Sequence, residues 1–172
     1  ADGEDAAYVF TLGTHGWTLE TRLGDEVAVH GSEVAVDNGT VLVDAPHDSE
    51  GNNAVCVFTR SADGWGHQAT LAPDDLDTDD GFGGAVAVDG ETAVVGAAGA
   101  GDGGTVHVFT RSDGTWRRAA TLEDGRTDVE DTARGLGYDV AVDGDTVVAG
   151  APYTIAYERG YSDVGGGVVF TR

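Results

Sequence analysis

The stretch GGAVAVDGETAVVGAA (83–98) decides the fold, because the chain carries it three times. GSEVAVDNGTVLVDAP (31–46) and GYDVAVDGDTVVAGAP (137–152) align with it without a gap. In each copy a Val-Ala-Val run meets Asp-Gly or Asp-Asn-Gly and then a second run opening on Thr. Two short β-branched runs joined by a two-residue glycine turn are the strongest local hairpin signal available.

A second motif follows each copy and also opens the chain: AAYVFTLGTHGW (6–17), NAVCVFTRSADGW (53–65), TVHVFTRSDGTW (105–116) and GVVFTR (167–172). It reads as a strand ending near Phe-Thr-Arg, a turn, and a new strand from Trp into Ala-Thr-Leu, as in GWGHQATL (64–71) and TWRRAATL (115–122). Phe10, Phe58, Phe109 and Phe170 mark the period, 48, 51 and 61 residues apart. Four short strands, A to D, in about 50 residues are the content of one propeller blade. The predicted fold is therefore all-β, a β-propeller of four-stranded antiparallel blades with about three blades in this chain. Residues 1–30 form a partial blade C-D plus linker, 31–81 and 82–135 each a blade, and 136–172 a partial blade A-B-C.

These residues resemble the FG-GAP repeats of integrin α-subunit propellers and their bacterial and archaeal relatives. Phe82-Gly83 before strand A and Gly150-Ala151-Pro152 after strand B carry both halves of the family's name. Leu136-Gly137 and Asp44-Ala45-Pro46 stand at the corresponding places of other copies. The resemblance spans nearly the whole chain. It implies that the B-to-C and D-to-A loops share one face, the ligand face in integrins. Calcium-binding members have a longer A-to-B loop with Asp or Asn at alternate positions. Here that loop is Asp37-Asn38-Gly39, Asp89-Gly90-Glu91 or Asp143-Gly144-Asp145, too short to supply the about six to eight oxygens that Ca²⁺ takes. The family's calcium sites are not carried over to these aspartates.

Thirty-one Asp and Glu against 9 basic residues leave a formal charge of −22, and every basic residue is arginine. Phosphate binding needs clustered positive charge, so a nucleic-acid partner is excluded. No apolar run approaches the roughly 18 residues that span a bilayer, so membrane insertion is not expected, and Ala1 to Asp5 form neither a basic nor an apolar leader segment. Aspartate supplies 22 of the acids, lysine is absent, and Ile155 is the only isoleucine. This composition resembles that of haloarchaeal proteins and implies an extracellular or cell-surface protein of a halophilic archaeon. Cys56 is the only cysteine, which excludes an intrachain disulfide and a paired-cysteine metal site.

Loops that break a repeat are the best candidates for function, because a rigid scaffold carries function on its variable connections. The third B-to-C loop, YTIAYERGYSDVGG (153–166), is the longest and holds Tyr153, Tyr157, Glu158, Arg159 and Tyr161. Tyrosine and arginine are favoured contact residues, so these five are the candidates for binding a partner. The linker 74–81 places Asp75, Asp77 and Asp79 at alternate positions, a weak candidate site for one Ca²⁺, although its spacing departs from an EF-hand loop. His30, His47 and Asp48 form a further, fainter metal candidate. His107 shares its repeat position with Tyr8, Cys56 and Val168, Trp17, Trp65 and Trp116 recur with the period, and all read as scaffold. No nucleophile elbow, phosphate-cradling loop or zinc pattern is present.

The function expected from these features is a non-catalytic extracellular module for recognition, adhesion or assembly, presenting loops to a cell-surface protein or glycan. Its alternative is a structural subunit of a self-assembling ring or filament, and a propeller-based hydrolase ranks last. The partial blades at both ends point to the chain itself as a partner.

Charge also predicts salt dependence. A −22 surface repels itself at low ionic strength, whereas the Debye length in molar salt is only about 3 Å. Circular dichroism should show β-structure at about 2 M NaCl and its progressive loss on dilution to about 50 mM; an unchanged spectrum across that range would contradict the halophilic reading.

Overall fold

The computed structural model describes residues 5–46, 53–124, 135–153 and 165–171. Thirteen strands lie among them, in four antiparallel sheets. A hairpin of β1 (Ala7–Gly13) and β2 (Gly16–Leu23) comes first. The second sheet has β3 (Val34–Asp37), β4 (Thr40–Pro46), β5 (Asn53–Ser61) and β6 (Gly64–Leu71), in that order. The third has β7 (Phe82–Asp89), β8 (Thr92–Ala97), β9 (Thr105–Ser112) and β10 (Thr115–Leu122), also in chain order. β11 (Val140–Asp143), β12 (Thr146–Ala151) and β13 (Gly166–Thr171) make the last. The chain is all-β, built on four-stranded antiparallel blades. Among the described residues no helix is long and apolar enough to cross a membrane.

The A-to-B turns form where the sequence places them. Asp37 pairs with Thr40 around Asn38 (φ 41°) and Gly39 (φ 76°), and positive φ at both central residues marks a type I′ turn. The equivalent turns start on Gly90 (φ 55°) and Gly144 (φ 54°).

Strand alternation then sorts the side chains onto two faces, and the middle strands of each inner blade are largely buried on both. Along β4, Val41, Val43 and Ala45 pack towards the β1–β2 hairpin with Ala7, Leu23 and Phe58. Leu42, between them in sequence, packs the other way with Val55, Val57 and Leu71 against Phe82, Ala93, Val95, Phe109 and Trp116 of the next blade. The same alternation in the third sheet sends Ala85, Val94 and Val106 towards Leu136, Val140, Val147 and Ala149. The middle strands therefore read as nearly continuous apolar runs, and three cores lie between four stacked sheets. Cys56 belongs to one of these cores, where burial pushes its thiol pKa up.

The stack closes at one glycine per repeat. Gly31, Gly83 and Gly137 occupy the same repeat position with φ of 76°, 86° and 87°. A Cβ there would lie 2.7 Å from the Ala6 carbonyl oxygen, 3.3 Å from that of Ala54 and 2.6 Å from that of Thr105, respectively. Ala6, Ala54 and Thr105 are themselves equivalent, each four residues before its blade's phenylalanine. Gly96 adds a second close approach, because a Cβ on it would overlap the carbonyl oxygen of Gly137.

These contacts separate two kinds of glycine. Gly137→Ala meets both a disfavoured φ and a backbone oxygen, so it should destabilise the fold by about 2–4 kcal/mol. Gly114→Ala, at a C-to-D turn with φ 75° and open space around it, should cost about 1 kcal/mol. Urea unfolding of both variants in high salt checks the difference; equal losses would show that the close approach carries no weight.

Candidate functional site

Of the loop candidates, Tyr153 is described, and Tyr157, Glu158, Arg159 and Tyr161 lie outside the described residues. The ring of Tyr153 is exposed and meets that of Tyr138 edge to face, 5.9 Å between centroids. Both stand on the face shared by the B-to-C and D-to-A connections. That sharing is visible in the second blade, where Gly99 N–H donates to the Asp80 carbonyl (2.9 Å) and Leu136 N–H to that of Gly103 (2.8 Å).

The acidic linker is occupied with its own structure. Asp75 takes both terminal nitrogens of Arg118, at 2.6 and 2.9 Å, and this pairing holds its carboxyl below the usual range. Asp77 caps a short 3₁₀ turn over Thr78–Asp80 and accepts from the Asp79 N–H at 3.1 Å, while Asp80 accepts from the Asp77 N–H at 2.8 Å. The carboxylates of Asp75 and Asp77 thus face different partners. His30 approaches the buried Asp44 carboxylate at 3.5 Å, which also accepts from Ser32 Oγ (2.5 Å) and Glu33 N–H (3.0 Å). His47 and Asp48 lie outside the described residues. Among the described residues no three His, Cys, Asp or Glu side chains gather around a point that suits a metal ion.

His107 is a packed core residue. It is 1% exposed, stacks edge to face on Phe82 at 5.6 Å and bonds Thr105 Oγ1 through Nε2 at 3.0 Å. Burial lowers its pKa, which favours the neutral imidazole that such a contact needs.

Two repeating polar links were not visible in the sequence. The turn aspartates reach from one blade to the next: Asp37 accepts from Gly90 N–H at 2.8 Å, and Asp89 from Gly144 N–H at 2.7 Å. The second link starts from a β-bulge. Each C-to-D pair slips register at one place, leaving Glu20, Gln68 and Ala119 as the extra residue on the D strand. A bulge re-aims the side chain it carries. Glu20 meets Arg60 of the following blade at 2.7 Å, and Gln68 accepts from Trp116 Nε1 at 2.9 Å and Arg111 at 3.4 Å. Thr11 donates to Glu20 at 2.5 Å, and this bond together with Arg60 lowers the Glu20 pKa. The Trp65 indole approaches the same carboxylate without making a hydrogen bond. Arg111 also holds Glu91 through both its Nε (2.6 Å) and Nη2 (2.9 Å) and lies over the Trp116 ring at 5.2 Å. At the third position, alanine replaces the acceptor.

Large apolar side chains are exposed on the first and last sheets and on β3 of the second. Trp17 is 70% exposed and Phe10 56%, although their equivalents Trp116 and Phe109 are 9% and 5% exposed. Tyr8, Leu12 and Leu19 of the same hairpin are also exposed, as are Val34 and Val36 on β3. At the other end, Val148 and Val169 are exposed at the positions where Leu42 and Val57 are buried between blades.

Residues 65–109 match the family model described as FG-GAP repeat. The match runs from Trp65 on β6 to Phe109 on β9, and so takes in Gly83, the amide of Gly90 that Asp37 holds, and Asp89. No curated protein matches the chain. The middle of this chain is therefore similar to an FG-GAP repeat.

Proposed function

We propose that the protein is a non-catalytic recognition and assembly module that joins copies of itself through its two outer sheets. The FG-GAP match at 65–109 supports a repeat of the kind used in adhesion and recognition. The observation that carries the assembly reading is the exposure of Phe10 and Trp17 at positions whose equivalents are core. Polar residues would stand there if water were the intended neighbour. In this reading Tyr153 and its loop face remain open for a cell-surface protein or glycan, and the acidic surface keeps the assembly soluble in the brine around a halophilic archaeon. Joining with closure makes a ring, and joining without closure makes a filament.

Burying a large apolar side chain is worth about 1.5–3 kcal/mol, so Phe10→Asp with Trp17→Asp should weaken association by at least about a hundredfold. Sedimentation velocity in about 2 M salt tests this: the intact chain should run as an oligomer and the double variant as a folded monomer. A stable monomer for the intact chain at tens of micromolar would overturn the assembly reading.

A further inference from the structure

One A-to-B turn differs from its two equivalents by carrying an asparagine. The three align as Asp37-Asn38-Gly39-Thr40, Asp89-Gly90-Glu91-Thr92 and Asp143-Gly144-Asp145-Thr146. Threonine closes every copy, so the repeat itself supplies Thr40, and Asn38 completes an Asn-x-Thr triplet with glycine in the middle. The chain has three asparagines, and neither Asn52 nor Asn53 has serine or threonine two positions on. Asn-x-Ser or Asn-x-Thr with no proline between is the acceptor pattern for N-linked sugar, which needs a surface position.

The turn provides that position. Asn38 is exposed at its tip, with φ 41°. The open space belongs to the turn and not to this copy's place in the chain. A Cβ at the equivalent Gly90, whose sheet has another sheet on either side, would meet no atom within 4 Å, and the same holds at Gly144. The Asn38 amide is half engaged. One N–H of Nδ2 donates to Asp37 Oδ2 at 3.1 Å, the oxygen that also takes the Gly90 N–H at 2.8 Å, and the other has no partner among the described residues. An amide nitrogen that gains a sugar keeps one hydrogen, so the bond to Asp37 and the link to the next sheet survive the modification. Thr40, by contrast, is 2% exposed, so an enzyme reaches its hydroxyl only before β3 and β4 pair.

We propose that Asn38 accepts an N-linked glycan during export, before its hairpin closes; this rests on the extracellular placement in the function proposed above. The donor is an oligosaccharide carried on a lipid phosphate or diphosphate. Nδ2 attacks C1 of the first sugar, the Nδ2–C1 bond forms and the C1–O bond to phosphate breaks. The lipid phosphate leaves with the electron pair, and Nδ2 gives up one proton to a base of the transferase. The sugar then stands at the A-to-B end of the sheets, opposite Tyr153 and the B-to-C connections, and adds hydrophilic bulk beside a turn without crossing a stacking face.

To test this, the full chain is given an export signal and produced in a halophilic host that N-glycosylates its own exported proteins. The fragment Val34–Glu50, released by a Glu-specific protease, is then weighed. An oligosaccharide on Asn38 is expected, lost in Asn38→Gln and Thr40→Val and kept in Thr40→Ser. The folded chain, purified without sugar and mixed in about 2 M salt with the host's transferase membranes and lipid-linked donor, should gain none. Urea midpoints of the modified and unmodified chains should coincide, because the bond to Asp37 is kept. An unmodified fragment from the exported chain, or sugar that persists on it in Asn38→Gln, would overturn the proposal. Ready modification of the folded chain would overturn the order of events, and a lowered urea midpoint would overturn the retained bond. Since export is imposed, none of these results depends on where the chain resides in its own cells. Fractionation of those cells reads that separately: a cytosolic chain would reject the extracellular placement, and with it the natural use of the site, even where the host modifies Asn38.

Discussion

Backbone contact between successive sheets is the constraint from which the rest of the structure follows. At Gly31, Gly83 and Gly137 the entry to a new sheet passes close to a backbone carbonyl of the preceding repeat, so that a Cβ would lie 2.7, 3.3 and 2.6 Å from the carbonyl oxygens of Ala6, Ala54 and Thr105. Positive φ at the same three residues turns the chain into its first strand. Both requirements select glycine, for steric and conformational reasons that act together. Once that approach is set, the spacing between sheets is set too, and valine and alanine fill most of the gap, with Leu23, Leu42, Leu71 and Leu136 among them.

Polar links keep the stack in register at the opposite end from the glycine junction. Asp37 and Asp89 bind amide N–H groups of the next hairpin, and Glu20 and Gln68 clamp an arginine or a tryptophan of the next blade. Hydrogen bonds to a carboxylate are stronger than neutral ones, and these carboxylates are attached to rigid turns or bulges that cost little entropy to hold. The acidic residues therefore divide into two populations. Among the described residues some are structural acceptors with defined partners, including Asp44, Asp75 and Glu91, and others, such as Asp63 and Asp113, are exposed. Only the second group needs salt to relieve its repulsion.

The outer sheets show what each blade requires of its neighbour. An inner blade has two apolar faces, and the repeat builds the same two faces on every copy regardless of position. The hairpin at one end and the three-stranded sheet at the other consequently expose residues whose counterparts are core.

Local sequence determined the strands, their hairpins and the two-faced alternation. Val-Ala-Val, Asp-Gly and Thr-Val-Val act over a few residues, and their repetition three times removes the ambiguity a single copy would have. The core role of His107 was legible from its repeat position and that of Trp116 from its recurrence, whereas Trp17 at the same motif position is exposed; the two-residue A-to-B turns were legible as hairpins. Tertiary structure alone decided the pairings between residues about 40 to 55 positions apart, because nothing local to Asp37, Gln68 or Asp75 distinguishes a cross-blade acceptor from a solvated side chain. The bulges that aim Glu20 and Gln68 are likewise properties of strand pairing, and they leave no mark in either strand read singly. Trp17 and Trp116 make the limit plain: the same motif sets both, yet one is exposed and the other buried, because burial depends on which sheet stands next to it in space.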